Sequence, residues 1–284
     1  MTKVKIVTDS GAKFTKEELE KYDIKVVPLT VQIDDTIYQD GVTITPEEFL
    51  EKMEKSQNLP QTSQPSLGVF QETYEECLKE DPEADILSLH ISSGLSGTVN
   101  AAQQAGALVK GNVTAFDTRQ ADQAQAFVVL AAAKAASEGK NIDEVLAAAE
   151  RARKESHVYL SFRSLDNMVA GGRLSKTQGL IGNVLNIKVG AKVDEEGLVD
   201  VVVKGRGLKT IKAFNKSVIE EMKSKSKMLS IGVTHAGVPE EAETLAEELR
   251  AIWPDINIAV MVASPLISTH TGLGALAILF EAED

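Results

Sequence analysis

The run Ser92-Ser93-Gly94-Leu95-Ser96-Gly97-Thr98 places the hydroxyls of Ser93, Ser96 and Thr98 beside two glycines. The apolar run Ile86–Ile91 precedes it and reads as a buried strand. Good helix formers follow from Val99 to Ala105. A strand, a small-residue loop and a helix start expose free backbone N–H groups at the positive end of a helix, which suits an anion such as a carboxylate or phosphate. Glycine lets a ligand approach the backbone. The alternative is that these hydroxyls only cap the helix.

Two further stretches carry the same chemistry. Between Pro60 and Pro65 lie Gln61-Thr62-Ser63-Gln64, four hydrogen-bonding side chains in a segment that the prolines hold extended. It is a candidate ligand wall. Near the other end, His270 stands among Ser268, Thr269 and Thr271, just before Gly272. A Ser–His hydrolase or acyltransferase would use Ser93 or Ser96 with His270, and Asp9, at the end of a first strand, is a candidate third member. His90 lies in an apolar strand and reads as a hydrogen-bonded core residue; His157 and His235 fall at strand ends.

The elements that must position these groups alternate. Strand patterns at Val4–Val7, Ile24–Val31, Ile86–Ile91 and Val113–Phe116 are interleaved with helices opened by Thr15, Thr45 and Asn141 and with a long Ala-rich helix over Asp122–Ser137. This predicts a parallel sheet covered on both faces. The charged run Arg151–Ser156 marks the expected boundary, giving an N-terminal α/β domain over 1–153 and a C-terminal α/β domain over 154–284. In the second part, Asp194-Glu195-Glu196-Gly197 joins two strand patterns as a hairpin, so a mixed or antiparallel sheet is expected there. Gly171-Gly172 stops a short helix over 165–170, and another helix is expected after Gly179.

The net charge of −12 argues against nucleic acid or an anionic membrane as a general partner. Cys77 is the only cysteine, so no internal disulfide can form. The N-terminus lacks a signal-peptide layout and no apolar stretch is long enough to span a bilayer; a cytoplasmic protein is the expectation. Several familiar motifs fail. Gly94–Thr98 resembles a nucleophile elbow but has Thr98 where a glycine belongs. Gly171–Thr177 lacks the glycine a phosphate loop needs before Lys176. Gly272-Leu273-Gly274 precedes a strand instead of following one. One cysteine and four scattered histidines give no zinc spacing, and no metal or cofactor is expected.

Taken in order, seven pieces resemble the DegV family, the group containing the fatty-acid-binding FakB subunits of bacterial fatty acid kinase. They are Val7-Thr8-Asp9-Ser10, Val27-Pro28-Leu29, Gln39-Asp40-Gly41, Thr62-Ser63-Gln64-Pro65-Ser66, Ser92–Thr98, Gly171-Gly172-Arg173-Leu174-Ser175-Lys176 and Ser268-Thr269-His270-Thr271-Gly272. The resemblance implies two α/β domains with a long-chain fatty acid between them, its acyl chain in an apolar tunnel and its carboxylate held at the mouth. It implies a protein that is not itself catalytic. A separate ATP-dependent kinase, to which ATP and Mg would belong, phosphorylates the bound acid to an acyl phosphate for phospholipid synthesis. By the same resemblance Thr62, Ser93 or Ser96, and His270 hold the carboxylate, and Arg173 faces the head group or the kinase. Membrane contact would be transient. A binding protein for another anionic amphiphile would keep the same head-group site. The chain departs from the family pattern at Lys188-Val189, at Val203-Lys204-Gly205-Arg206-Gly207 and at Leu273, positions that concern the rim and kinase docking more than the lipid site.

Overall fold

The computed structural model describes residues 3–174 and 187–284. The chain opens with β1 (Val4–Asp9), α1 (Lys16–Tyr22) and β2 (Lys25–Val27). Thr15 and Glu18 cap α1 reciprocally. The strand expected over Ile24–Val31 is broken at Pro28-Leu29, and β3 (Thr30–Ile33) turns back through β4 (Thr36–Gln39). After α2 (Pro46–Lys55) comes β5 (Gln61–Ser63), the hydroxyl-rich segment between two prolines. Then follow α3 (Leu67–Glu80), β6 (Asp85–His90), α4 (Thr98–Gly106), β7 (Asn112–Asp117), α5 (Asp122–Ser137) and α6 (Ile142–Glu155). The second half runs β8 (Ser156–Phe162), α7 (Asp166–Gly171), β9 (Ile187–Val193), β10 (Val199–Arg206), α8 (Leu208–Lys223), β11 (Lys227–His235), α9 (Pro239–Ile252), β12 (Ala259–Val262), α10 (Pro265–Thr271) and β13 (Leu276–Glu283). The helix expected after Gly179 lies outside the described residues, as do Ser175 and Lys176.

Among the described residues three sheets result. β2, β1, β6 and β7 pair in that order, all parallel. The six-stranded sheet β10-β9-β8-β13-β11-β12 is mixed, parallel only at β11–β12. The small antiparallel sheet β4-β3-β5 was not expected from the sequence. Fold class is thus α/β, with an N-terminal parallel and a C-terminal mixed sheet flanked by helices.

The two-residue period of β8 sorts its side chains. Tyr159 points to a core shared with Phe214 and Val218 of α8 and Leu245 and Leu249 of α9. Val158, Leu160 and Phe162 point to the opposite face, with Ala277 and Leu279 of β13, which register against Leu160 and Val158. That second face turns toward the N-terminal half. α5 lies between the halves: ten of its sixteen residues are buried, and it packs on β1 as well as on β8, β11 and β13. A helix buried on several sides needs small residues all round, which is what its alanines supply.

Candidate functional site

The inward face of the mixed sheet does not close fully on the N-terminal half. A cavity of about 690 Å³, counting the part open at its mouth, lies between them. Val158, Leu160 and Phe162 of β8, Ala277 and Leu279 of β13, and Val193 and Val199 across the β9–β10 hairpin form the apolar floor. Ile91, Leu95, Ala121 and Met168 supply further apolar wall, and Leu266 and Ile267 come from α10. Ile91, Leu95 and Ala121 follow β6 and β7, at the carboxyl edge of the parallel sheet where α/β proteins usually hold ligands.

Four polar residues named from the sequence meet at this cavity: Thr62, Ser96, Arg173 and His270. Thr62 is carried on β5, opposite Val31 of β3. His270 is carried on α10, a helix started by Ser264, whose hydroxyl accepts from the Ile267 N–H, with Pro265 in its first turn. The helix ends at Gly272, at φ 75. Thr62 Oγ1 and His270 Nε2 lie 2.9 Å apart across 208 residues of sequence. His270 Nδ1 is buried with no hydrogen-bond partner among the described residues. We assign the ring proton to Nε2, because a buried orphan N–H is rarer than an orphan acceptor. Nε2–H then donates to Thr62 Oγ1, and the Thr62 hydroxyl proton is free to point at a guest.

Burial pushes the His270 pKa down to about 4, with the Arg173 guanidinium acting in the same direction. His270 is therefore neutral near pH 7. The positive charge at the mouth is that of Arg173, whose Nε donates to the Leu95 carbonyl at 3.2 Å and whose Nη1 donates to the Gly171 carbonyl. Close packing of α7 on α10 makes this assembly tight: a Cβ at Gly171 would stand 2.6 Å from His270 Nδ1. Gly97 plays a similar part in the serine loop, where a Cβ would meet Gln64 Oε1 at 2.1 Å.

The two candidate serines separate. Ser96 lines the cavity, its hydroxyl paired with Thr98 at 2.8 Å. Ser93 does not line it; its hydroxyl donates to Asp117 Oδ2 at 2.5 Å on the exposed side of the loop. Neither hydroxyl has His270 as partner, and Asp9 is engaged elsewhere. Asp9 Oδ2 faces His90 Nδ1 at 2.9 Å, and His90 Nε2 faces Ser88 Oγ at 2.7 Å. Tyr74 completes the chain by donating to Ser88 at 2.8 Å. This Ser–His–Asp array has triad connectivity, but all three residues are fully enclosed in the sheet, so no substrate carbonyl can reach Ser88. It ties β1 to β6 and satisfies buried polar groups. Among the described residues, no cluster of three or more His, Cys, Asp or Glu side chains is placed to hold a metal ion.

Sequence reasoning missed two polar groups of the cavity, Thr271 and Asp122. An acid opening a helix reads as a partner for the helix dipole, and nothing in the local pattern of Asp122 signals that it faces a void.

An α/β protein of two facing sheets, with an apolar cavity between them and a hydroxyl–imidazole–guanidinium cluster at its mouth, is the class defined here. The chain belongs to the DegV family, whose model matches residues 3–283. A DegV domain-containing protein of Streptococcus pneumoniae serotype 4 is 39% identical over 279 residues, covering 98% of each chain. Among solved structures, DegV from Bacillus subtilis, described as a fatty acid binding protein, is 31% identical with a TM-score of 0.90 over 100% of both chains. A DegV family protein from Thermus thermophilus, described by its fatty acid binding, is 30% identical with a TM-score of 0.87, covering 99% of this chain and 100% of its own. No described helix is long and apolar enough to cross a membrane.

Proposed function

We propose that this protein binds a long-chain fatty acid, with the acyl chain in the cavity and the carboxylate at Thr62, Ser96, His270 and Arg173, and that it presents the carboxylate to a separate ATP-dependent kinase. The observation that carries the reading is the cavity itself: its walls are chiefly apolar, and its lining gathers those four polar residues. The solved relatives from Bacillus subtilis and Thermus thermophilus, described as fatty acid binders, support it.

The division of labour follows from magnitudes. Each buried methylene is worth about 0.8 kcal/mol, so the chain supplies about 10 kcal/mol or more as an upper bound. The mouth supplies orientation. The Thr62 hydroxyl donates to one carboxylate oxygen, and Arg173 contributes the compensating charge. A phosphorylated product carries more negative charge at the same place, which favours the guanidinium further. The protein itself is read as a cytoplasmic carrier without a catalytic residue; the kinase would supply ATP and Mg.

Denaturing extraction of the purified protein followed by mass spectrometry is expected to release a stoichiometric, non-covalent fatty acid. The delipidated protein should rebind it, and the double variant Thr62→Ala/His270→Ala should lose most carboxylate-dependent binding and most kinase-dependent acyl-phosphate formation. Unchanged binding and turnover in the double variant would show that the mouth is elsewhere.

A further inference from the structure

The cavity does not stop at the wall beneath the mouth. A smaller void adjoins it, sharing Asp122, Leu160, Ile267, Thr271 and Ala277. Asp122 therefore stands where the two voids meet. It is only 4% exposed, in surroundings made chiefly of aliphatic side chains. Its Oδ1 accepts from the Gln123 N–H at 2.8 Å and from the Thr234 hydroxyl at 3.2 Å. Both of these bonds go to Oδ1, and Oδ2 accepts none from the described residues. The adjoining void is also lined by His235, whose Nδ1 is buried and unpartnered among the described residues.

A plain hydrocarbon chain laid past this point would leave Oδ2 against methylenes, and an unmatched buried carboxyl oxygen is costly. Burial already pushes the Asp122 carboxyl up to about 6, against the opposing pull of Lys13. A donor supplied by the guest removes that cost. The backbone around the carboxyl is fixed in an uncommon conformation: Asp122 has φ 58, and its N–H and C=O are held by Gly11 and Lys13.

We propose that Asp122 selects acyl chains that carry a hydroxyl group over plain alkyl chains, its Oδ2 accepting the ligand hydroxyl's hydrogen bond at the junction of the two voids. The inference rests on the lipid-binding reading and narrows it to hydroxylated fatty acids.

The test is competition against a fluorescent fatty acid on the delipidated full-length protein, using octadecanoic acid and a panel of octadecanoic acids bearing one hydroxyl at successive carbons. At least one positional isomer is expected to bind about tenfold or more tighter than the unsubstituted acid, the range of a hydrogen bond to a charged buried group. Asp122→Gly suits the positive φ and removes the carboxyl; it should abolish that preference. Asp122→Asn also tolerates this backbone and keeps a hydrogen-bonding head, so its preference should fall between the two. If every isomer binds no better than octadecanoic acid, or if Asp122→Gly keeps the wild-type preference, the proposal is overturned while the fatty-acid reading stands. If neither plain nor hydroxylated acids compete, the fatty-acid reading fails and this proposal with it.

Discussion

His270 is kept neutral by two causes that act together, the loss of water around its ring and the neighbouring Arg173 charge. That arrangement suits a donor that must share a proton with Thr62 without adding a second buried charge. It also leaves a signature in stability. The unfolded chain binds a proton on this imidazole near its ordinary value of 6.5, whereas the folded chain resists until about 4. Between those values the unfolded state holds more protons, so this residue's contribution to stability is present above 6.5 and is lost as pH falls toward 4. From pH 7 to pH 5 the loss is on the order of 2 kcal/mol. Urea unfolding of the delipidated protein should show this as a difference: His270→Gln should lose less stability than wild type over that interval. Equal losses in both would mean that the ring titrates normally and is open to water. Asp40 and Glu281, raised to about 7 by burial, titrate with the opposite sign in both proteins and cancel in the comparison.

The pair α7 and α10 sets how closely the mouth closes, and Gly171 is where they are tightest. Replacing it with alanine relieves a helix glycine, which favours folding by up to about 1 kcal/mol. The added methyl, however, lands on His270 Nδ1, and overpacking of that kind costs about 1–3 kcal/mol. Gly171→Ala should therefore cost up to about 2 kcal/mol of stability and weaken fatty-acid binding about tenfold, readable by direct titration. Undiminished affinity would show that α10 yields without moving the imidazole. Elements of this kind differ in how legible they are. β1, β6 and β8 were readable because each carries an unbroken or alternating apolar run. β4 and β5 were not, being three or four residues long, largely exposed, and without an apolar run. α10 was hidden by its composition: Ile267, Ser268, Thr269, His270 and Thr271 are all poor helix formers, although Ser264 and Pro265 gave a start signal. Motif order led to Thr62, Ser96, Arg173 and His270, which the fold gathers around one cavity, but no local pattern could tell Ser96 from Ser93. That distinction depends on Asp117, the last residue of another strand. Asp122 escaped for the same reason, since its surroundings come from several distant segments.

At the scale of the whole molecule, the cavity sits where the halves meet, so a guest touches both. The core around it joins Leu50, Leu95, Ala124 and Phe127 from the first half to Val158, Phe162, Val189 and Leu279 from the second. An acyl chain lying among these residues replaces contacts that an empty cavity lacks on one side, and it binds only when the two sheets face one another. Loading is therefore linked to folding of the whole chain. At a free concentration one hundred times the dissociation constant, the linkage is worth about 2.7 kcal/mol. For a protein of this size each kcal/mol moves the melting temperature by roughly 2–4 °C. Delipidated protein should thus melt about 5–10 °C below protein reloaded with a long-chain acid. A short acid such as hexanoate offers the same carboxylate but few methylenes, so at equal concentration it should shift the melting temperature little. Calorimetry on the three samples separates the contributions. A long-chain shift with no hexanoate shift places the binding energy in the apolar walls, as the cavity's lining requires. Equal shifts would place it in the mouth and would contradict the acyl-chain assignment.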